Sequence, residues 1–173
     1  MPELIAPQVS VAAAVRRVAD PADADAHPAY GRLLAGLGDA ELPGWVQRLL
    51  AETRPAAPHD LGDPVATTHL WWVEGDTYLG RLAIRHALPP PPLWIGGHVG
   101  YWVCPDHRRR GHATAMLAAA LPVAAQLGLD CVLVTCAAAN AGSRRAIEAN
   151  GGLFDGELDG QRRYWIPTGR PPA

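Results

Sequence analysis

Val103-Cys-Pro-Asp-His-Arg-Arg-Arg-Gly-His-Ala-Thr-Ala-Met116 is the stretch on which the reading of this chain turns. The apolar run His98-Val-Gly-Tyr-Trp-Val103 enters it, with the composition of a strand. Ala113, Met116, Leu117, Ala120, Ala124 and Leu127 leave it at helical spacing. The turn between them is dense in arginine and glycine. The first turn of an α-helix leaves backbone N–H groups without partners, and the helix dipole makes that end electropositive. Backbone donors converging beside a small residue cradle a phosphate. Arg108, Gly111 and Ala113 stand at i, i+3 and i+5. Gly111 lets the backbone approach a diphosphate closely, and the arginines add a second layer of positive charge. The segment reads as a strand, a pyrophosphate-binding turn and a helix.

Downstream of that unit, Gly128 supplies a helix stop. Pro122 lies inside the helical pattern, where a proline costs about 3 kcal/mol and bends the axis, so a kink is expected. Cys131–Cys136 reads as a buried strand, with both cysteines as small core residues. Asn140 and Ser143 are N-cap candidates for a helix over 141–150, which Gly151-Gly152 ends. Two last strands, Leu153–Leu158 and Arg162–Ile166, flank the turn Asp159-Gly160, and 168–173 is expected to be a loose tail.

Upstream, two helices are expected. The first starts at Pro21-Ala-Asp-Ala-Asp with Leu33-Leu34 on its apolar face. The second spans Leu42 to Glu52, with Trp45, Leu49 and Leu50 inward. Pro55–Pro64 reads as a loop and Pro89–Pro92 as a stiff extended linker. Thr68–Val73 and Thr77–Ile84 form a hairpin about Glu74-Gly75-Asp76. This order suits a mixed sheet with helices on both faces. It does not suit a Rossmann fold, because no G-x-G-x-x-G stands at the first strand–helix turn, and no Walker A loop is present.

Composition narrows the function class. At 173 residues the chain can bury a core and is expected to form one domain. An apolar fraction of 49% beside 18% charged residues is that of a soluble globular protein, with no run of apolar residues long enough for a membrane span. Met1-Pro-Glu-Leu-Ile-Ala-Pro-Gln lacks the basic and apolar regions of a signal peptide. A net charge of −2 argues against a general nucleic-acid binder. Every basic side chain apart from histidine is arginine, which with the abundance of Ala and Pro reads as genomic composition bias. The 3 cysteines, Cys104, Cys131 and Cys136, have no C-x-x-C spacing and read as reduced thiols; no Cys or His cluster has zinc-ligand spacing.

From about residue 66 onward, the chain resembles the GNAT acetyltransferase superfamily. His98–Val103, Pro105 and Arg108-Arg-Arg-Gly-His-Ala113 are similar to its acetyl-CoA motif, and Asn140-Ala-Gly-Ser-Arg-Arg-Ala-Ile147-Glu-Ala-Asn-Gly151 to its second helix motif. Gly96–Tyr101 and Arg162–Ile166 are similar to a bacterial branch of uncharacterised GNAT proteins, while the N-terminal third shares only the number of helices. The resemblance implies an α+β fold: a mixed, largely antiparallel sheet of about six to seven strands, helices on both faces, as one domain over 1–173. The acetyl-CoA motif would cover about 98–127 and the second helix motif about 140–151. It implies a cytoplasmic enzyme, homodimeric by the family's tendency to dimerise, using acetyl-CoA as cosubstrate without a metal. The acceptor would be a small-molecule amine or a protein N-terminus, attacking the thioester directly in a ternary complex.

Site roles follow from the same resemblance. Backbone amides of Arg109, Arg110, Gly111, His112, Ala113 and Thr114 would bind the CoA pyrophosphate, with Arg108 close to it. The edge of Tyr101, Trp102 and Val103 would pair with pantetheine as an added strand. Asn140 and Ser143 would contact the far end of pantetheine or the thioester region. The family often places a tyrosine acid seven residues after the asparagine, where this chain has Ile147. Isoleucine cannot donate a proton. Tyr101 and Tyr164 are substitutes in type, solvent is another, and a CoA-binding regulatory module without catalysis is the alternative class. Many relatives carry a glutamate where this chain has His98, whose ordinary pKa near 6.5 suits a base, against the plainer reading of a hydrogen-bonded sheet histidine. His69, Glu74 and His86 are weaker base candidates. Trp71, Trp72, Trp94 and Trp102 read first as core or interface packing, then as an aromatic acceptor pocket. A nucleotide-binding module on the same turn lacks an accompanying acidic metal ligand.

Overall fold

The computed structural model describes residues 1–19, 30–53, 65–88 and 96–169. Its strands are β1 (Glu3–Ile5), β2 (Thr67–Glu74), β3 (Thr77–Arg85), β4 (Val99–Val103), β5 (Cys131–Ala137), β6 (Leu153–Leu158) and β7 (Gln161–Pro167). Its helices are α1 (Val9–Arg17), α2 (Arg32–Ala35), α3 (Leu42–Ala51), α4 (His112–Gln126) and α5 (Ala141–Ala149). The seven strands join one sheet in the order β1-β2-β3-β4-β5-β7-β6. Every neighbouring pair is antiparallel except β4 and β5, which run parallel. This is the mixed, largely antiparallel α+β sheet.

Successive side chains on a strand point to opposite faces, and the pair Trp71-Trp72 on β2 uses that fact to anchor two cores. Trp71 packs with Val11, Val15, Leu34, Trp45 and Leu49 from α1, α2 and α3. Trp45 stacks on it at 5.7 Å between ring centres. Trp72 faces the other way, into the layer formed by Met116, Leu117 and Ala120 of α4 and Ile147 of α5. Both faces of the sheet are therefore covered by helices. At the far end, the turn between β6 and β7 places Asp159 at φ 50° and Gly160 at φ 73°. Two left-handed residues in succession are what the right-handed twist of a tight hairpin requires.

Several expectations are corrected. β1 and α1 occupy a stretch to which the sequence reading assigned no element. β1 is only three residues long, and α1 buries Val11, Ala12 and Val15, a stripe too short in side chain to stand out from an alanine-rich background. Of Leu33-Leu34, Leu34 is buried and Leu33 is exposed. The first helix start at Pro21, the loop 55–64, the linker at 89–92, Trp94 and residues 170–173 lie outside the described residues. As the helical spacing predicts, α4 runs on through Pro122 to Gln126. Pro122 and Ala118, whose carbonyl loses its N–H partner, are both exposed, so water can serve that carbonyl. Cys131 is exposed rather than core, since it opens β5 at the sheet's end. Thr168 is not loose: its hydroxyl donates to the Leu129 carbonyl at 2.7 Å, and it is buried.

Candidate functional site

β4 and β5 share a single register pair, Val99↔Val134, whereas β3 and β4 stay paired from Gly80↔Val103 to Ile84↔Val99. Beyond Val99 the two parallel strands part. His98 stands at the apex: its N–H donates to the Leu133 carbonyl at 2.7 Å, and its ring Nδ1 accepts from the Leu133 N–H at 2.9 Å. The imidazole thus replaces a main-chain carbonyl in the ladder. Burial, then the Arg85 charge, hold its pKa below the ordinary value.

The opening leads into a cleft of about 900 Å³, walled on one side by Tyr101, Trp102 and Val103 of β4. At one end it is lined by the turn, through Arg108, Arg109, Gly111, His112, Ala113 and Thr114. Gly111 is the N-cap of α4 with φ +82°, a conformation that favours glycine, and a Cβ built on it meets nothing within 4 Å. The requirement for glycine is thus conformational, and the space above it is open. Arg109 also has positive φ, 60°, beside it. Arg108 is fixed by its Nε, which donates to the Val103 carbonyl at 3.0 Å, with its guanidinium 6.0 Å from the Trp102 ring centre. Arg81 lies 4.6 Å from the same ring centre and 4.7 Å from the Tyr30 ring centre.

The opposite wall is α5, with Asn140, Gly142, Ser143, Arg145 and Ala146 in the lining. Asn140 caps it, its Oδ1 accepting from the Ser143 N–H at 3.0 Å. The Tyr101 hydroxyl donates to the Ser143 carbonyl at 3.4 Å, and burial raises its pKa. At the other end of α5, Asn150 Nδ2 donates to the Thr114 carbonyl at 3.1 Å, tying α5 to the first turn of α4. Three arginines and two histidines line the cleft and no carboxylate does, so its field suits a polyanion.

Of the residues singled out from sequence, Arg110, His98 and Tyr164 do not line the cleft. Tyr164 is buried in the core layer, its hydroxyl donating to Glu148 at 3.3 Å. His69 is buried against Glu52 at 2.5 Å, His86 bonds the Thr68 hydroxyl at 2.8 Å, and Glu74 meets the chain's amino terminus at 3.3 Å. Ile147 is fully buried beneath α5 and contributes nothing to the lining. His107, Gly142, Arg145 and Ala146 line the cleft and were missed. Arg145 had a signal: it stands two residues after Ser143, on the helix already assigned to the site. Among the described residues, no group of three or more His, Cys, Asp or Glu could hold a metal ion, and no helix is long and apolar enough to cross a membrane.

Among curated proteins, none matches this chain in sequence. Among solved structures it is similar to Mycobacterium smegmatis RimJ in complex with CoA-disulfide, with TM-score 0.69, 20% identity and coverage of 99% of this chain and 84% of that one. It is similar to RimL, a ribosomal L7/L12 alpha-N-protein acetyltransferase in complex with coenzyme A, with TM-score 0.66, 16% identity and coverage of 96% and 93%. The Vibrio cholerae spermidine/spermine N-acetyltransferase SpeG follows at TM-score 0.63, 13% identity and coverage of 97% and 95%. At these identities the likeness establishes the fold. The sequence model of the acetyltransferase (GNAT) domain matches residues 17–152, most of the chain. This chain belongs to the GNAT acetyltransferase family.

Proposed function

We propose that the protein transfers an acetyl group from acetyl-CoA to a primary amine, carried by a small molecule or a protein N-terminus. The observation that carries this reading is the parting of β4 from β5 beside the arginine turn, which leaves one strand edge and one helix start facing the same cleft. Acetyl-CoA supplies the thioester. The N–H groups around Gly111 would hold its diphosphate, the Tyr101–Val103 edge would bond the pantetheine amides, and the capped start of α5 would close the other side. Solved structures of similar proteins in complex with CoA, and of others that acetylate a ribosomal protein N-terminus or spermidine, support both the cosubstrate and an amine acceptor.

In the reaction, the amine nitrogen bonds the thioester carbonyl carbon, the C–S bond breaks, the sulfur takes a proton and the nitrogen loses one. Proton donation falls to Tyr101. Tyr101 lines the cleft, its hydroxyl makes only a long bond of 3.4 Å to the Ser143 carbonyl, and burial keeps it protonated at neutral pH. His98 is assigned a positioning role, because the nitrogen that would accept a proton already holds the Leu133 N–H. The amine proton is assigned to solvent.

The test is thiol release from acetyl-CoA against a panel of amines, together with CoA binding. Thiol release that depends on an amine supports the reading. Tight CoA binding with no release across polyamines, amino acids and peptide N-termini would make the protein a binding module, and binding of ATP or NAD in place of CoA would overturn the reading altogether.

A further inference from the structure

β4 is the middle strand of the seven, and the sheet face that carries Trp71 is covered by α1, α2 and α3. Gly100 breaks that cover. It is exposed, and a Cβ built on it meets nothing within 4 Å. It is also the first residue of β4 past Val99, whose register pair with Val134 closes the seam to β5. A pantetheine that runs from the turn along Val103 to Tyr101 brings its thioester to Gly100. The gap above Gly100 is then the way in for an amine from the other face of the sheet.

The side chains around that gap decide which amine it admits. Alternate residues of a strand share a face. Register sets His69, Ala83 and Gly100 in one row across β2, β3 and β4, and Trp71, Arg81 and Trp102 in the next. The first row is low over β3 and β4, because Ala83 and Gly100 are small. Arg81 stands beside it, partly buried, with its guanidinium over the rings of Trp102 and Tyr30 at 4.6 and 4.7 Å. Ring faces attract the charge but accept none of the in-plane hydrogen bonds that a guanidinium can donate. No ion pair joins Arg81 to a carboxylate among the described residues. Arg85 flanks the row on its other side, where its main chain bonds His98 and its guanidinium bonds the Gly97 carbonyl. The acid buried on this face, Glu52, is bonded to His69, two strands away from β4. Beside the gap itself the charge is positive.

We infer that the acceptor is an amine bearing a carboxylate a few bonds from its nitrogen, that is, a free amino acid, and that Arg81 binds this carboxylate. The inference rests on the acetyl-transfer reading above. Diagonal neighbours on adjacent strands stand about 7–8 Å apart, which is the relation of Arg81 to Gly100. A contact of about 3 Å at each end leaves room for only a few bonds between carboxylate and nitrogen. The planar fork of arginine gives a carboxylate two parallel N–H···O bonds strengthened by charge. The product is the N-acetylamino acid, formed by the bond exchange given above, with CoA leaving as the thiol. A protein N-terminus carries an uncharged amide carbonyl where the amino acid has its carboxylate.

The experiment measures thiol release from acetyl-CoA with free L-amino acids, with the α-carboxamides of the same residues and with spermidine. It is run on the parent and on Arg81→Gln, with CoA affinity followed by calorimetry. In the parent, at least one free amino acid should exceed its carboxamide and spermidine by about tenfold or more in kcat/KM. The amine of a carboxamide is less basic and more available at neutral pH, so the comparison is biased against the inference. Arg81→Gln should raise KM for the free acid, with little change for the carboxamide and none in CoA affinity. Carboxamides or spermidine used as well as free acids by the parent overturn the inference and leave acetyl transfer standing. An Arg81→Gln variant that binds CoA and slows acid and carboxamide alike does the same. Should that variant fail to fold, the acid-to-carboxamide ratio of the parent decides alone. A parent that binds CoA and releases thiol with no amine overturns the acetyl-transfer reading itself.

Discussion

Trp72 Nε1 donates a hydrogen bond to His112 Nδ1 at 3.2 Å, so a side chain of the core holds the first residue of the helix that opens on the cleft. An indole N–H can only donate, which commits Nδ1 to its lone pair and puts the ring proton on Nε2. Burial, then the charges of His107 and Arg110, lower the His112 pKa below its ordinary value. Trp72→Phe removes the donor. We expect the His112 pKa to rise, since a bond to the lone pair of the neutral ring is lost, read from the pH titration of its ring protons by NMR, with a loss of about 1–2 kcal/mol in unfolding free energy. An unchanged titration would mean that the bond does not restrain the ring.

Histidines 86, 98 and 112 all have pKa values lowered chiefly by burial. Above about pH 6.5 they are neutral in both folded and unfolded chains and contribute no pH dependence. As pH falls below that, the unfolded chain takes up protons first, and stability declines until the folded-state values are passed. Melting temperature should therefore drop between about pH 7 and pH 5, and His98→Gln should flatten the decline. A melting temperature that rises on acidification contradicts this account.

Gly111→Val puts a β-branched residue at φ +82°. We expect a loss of stability of about 1–3 kcal/mol from the strained backbone and a fall in CoA affinity of about tenfold or more, measured by thermal unfolding and by calorimetry. Gly111→Asn, which tolerates the left-handed region, should recover most of the stability and separate strain from obstruction.

Much of this architecture is legible in the sequence. The unit from β4 through α4 announces itself because a strand pattern, a charged turn and a helical pattern follow one another within a few residues. The hairpins are legible because their turns demand Gly and Asp. What is hidden depends on long-range contacts. Nothing in Thr68–Val73 says that Trp72 will bond His112, and nothing near His98 says that its ring will replace a carbonyl in the ladder to Leu133. Arg145 and Arg144 are adjacent and chemically identical, and only the orientation of α5, set by Tyr101 and Asn150, assigns one of them to the cleft.

Tyr101→Phe tests the proton donor. The ring and its packing remain and the hydroxyl goes. If Tyr101 protonates the departing sulfur, kcat should fall by about 10²-fold with CoA affinity nearly unchanged. A variant with parental kcat assigns that proton to solvent.

Ile147 is fully buried against α4 and the sheet, and a Cβ built on Gly152 would come within 2.5 Å of its Cγ2. Ile147→Ala should lower stability by about 2–5 kcal/mol through the cavity it leaves, seen in denaturant unfolding, with thiol release per folded molecule preserved. Ile147→Tyr should overpack the same site and destabilise, without a gain in rate. A stable tyrosine variant with faster turnover would place this position in the active site.

The parting of β4 and β5 makes the middle of the sheet an unfinished seam, closed by one register pair and the ring of His98. A chain that leaves a slot for one more strand can be completed by a molecule from solution. Amide protons of Tyr101 to Val103 should then exchange with solvent far more slowly once CoA is added, and resistance to proteolysis should rise with them. If the coenzyme completes that seam, the lifetime of the protein should follow the supply of coenzyme.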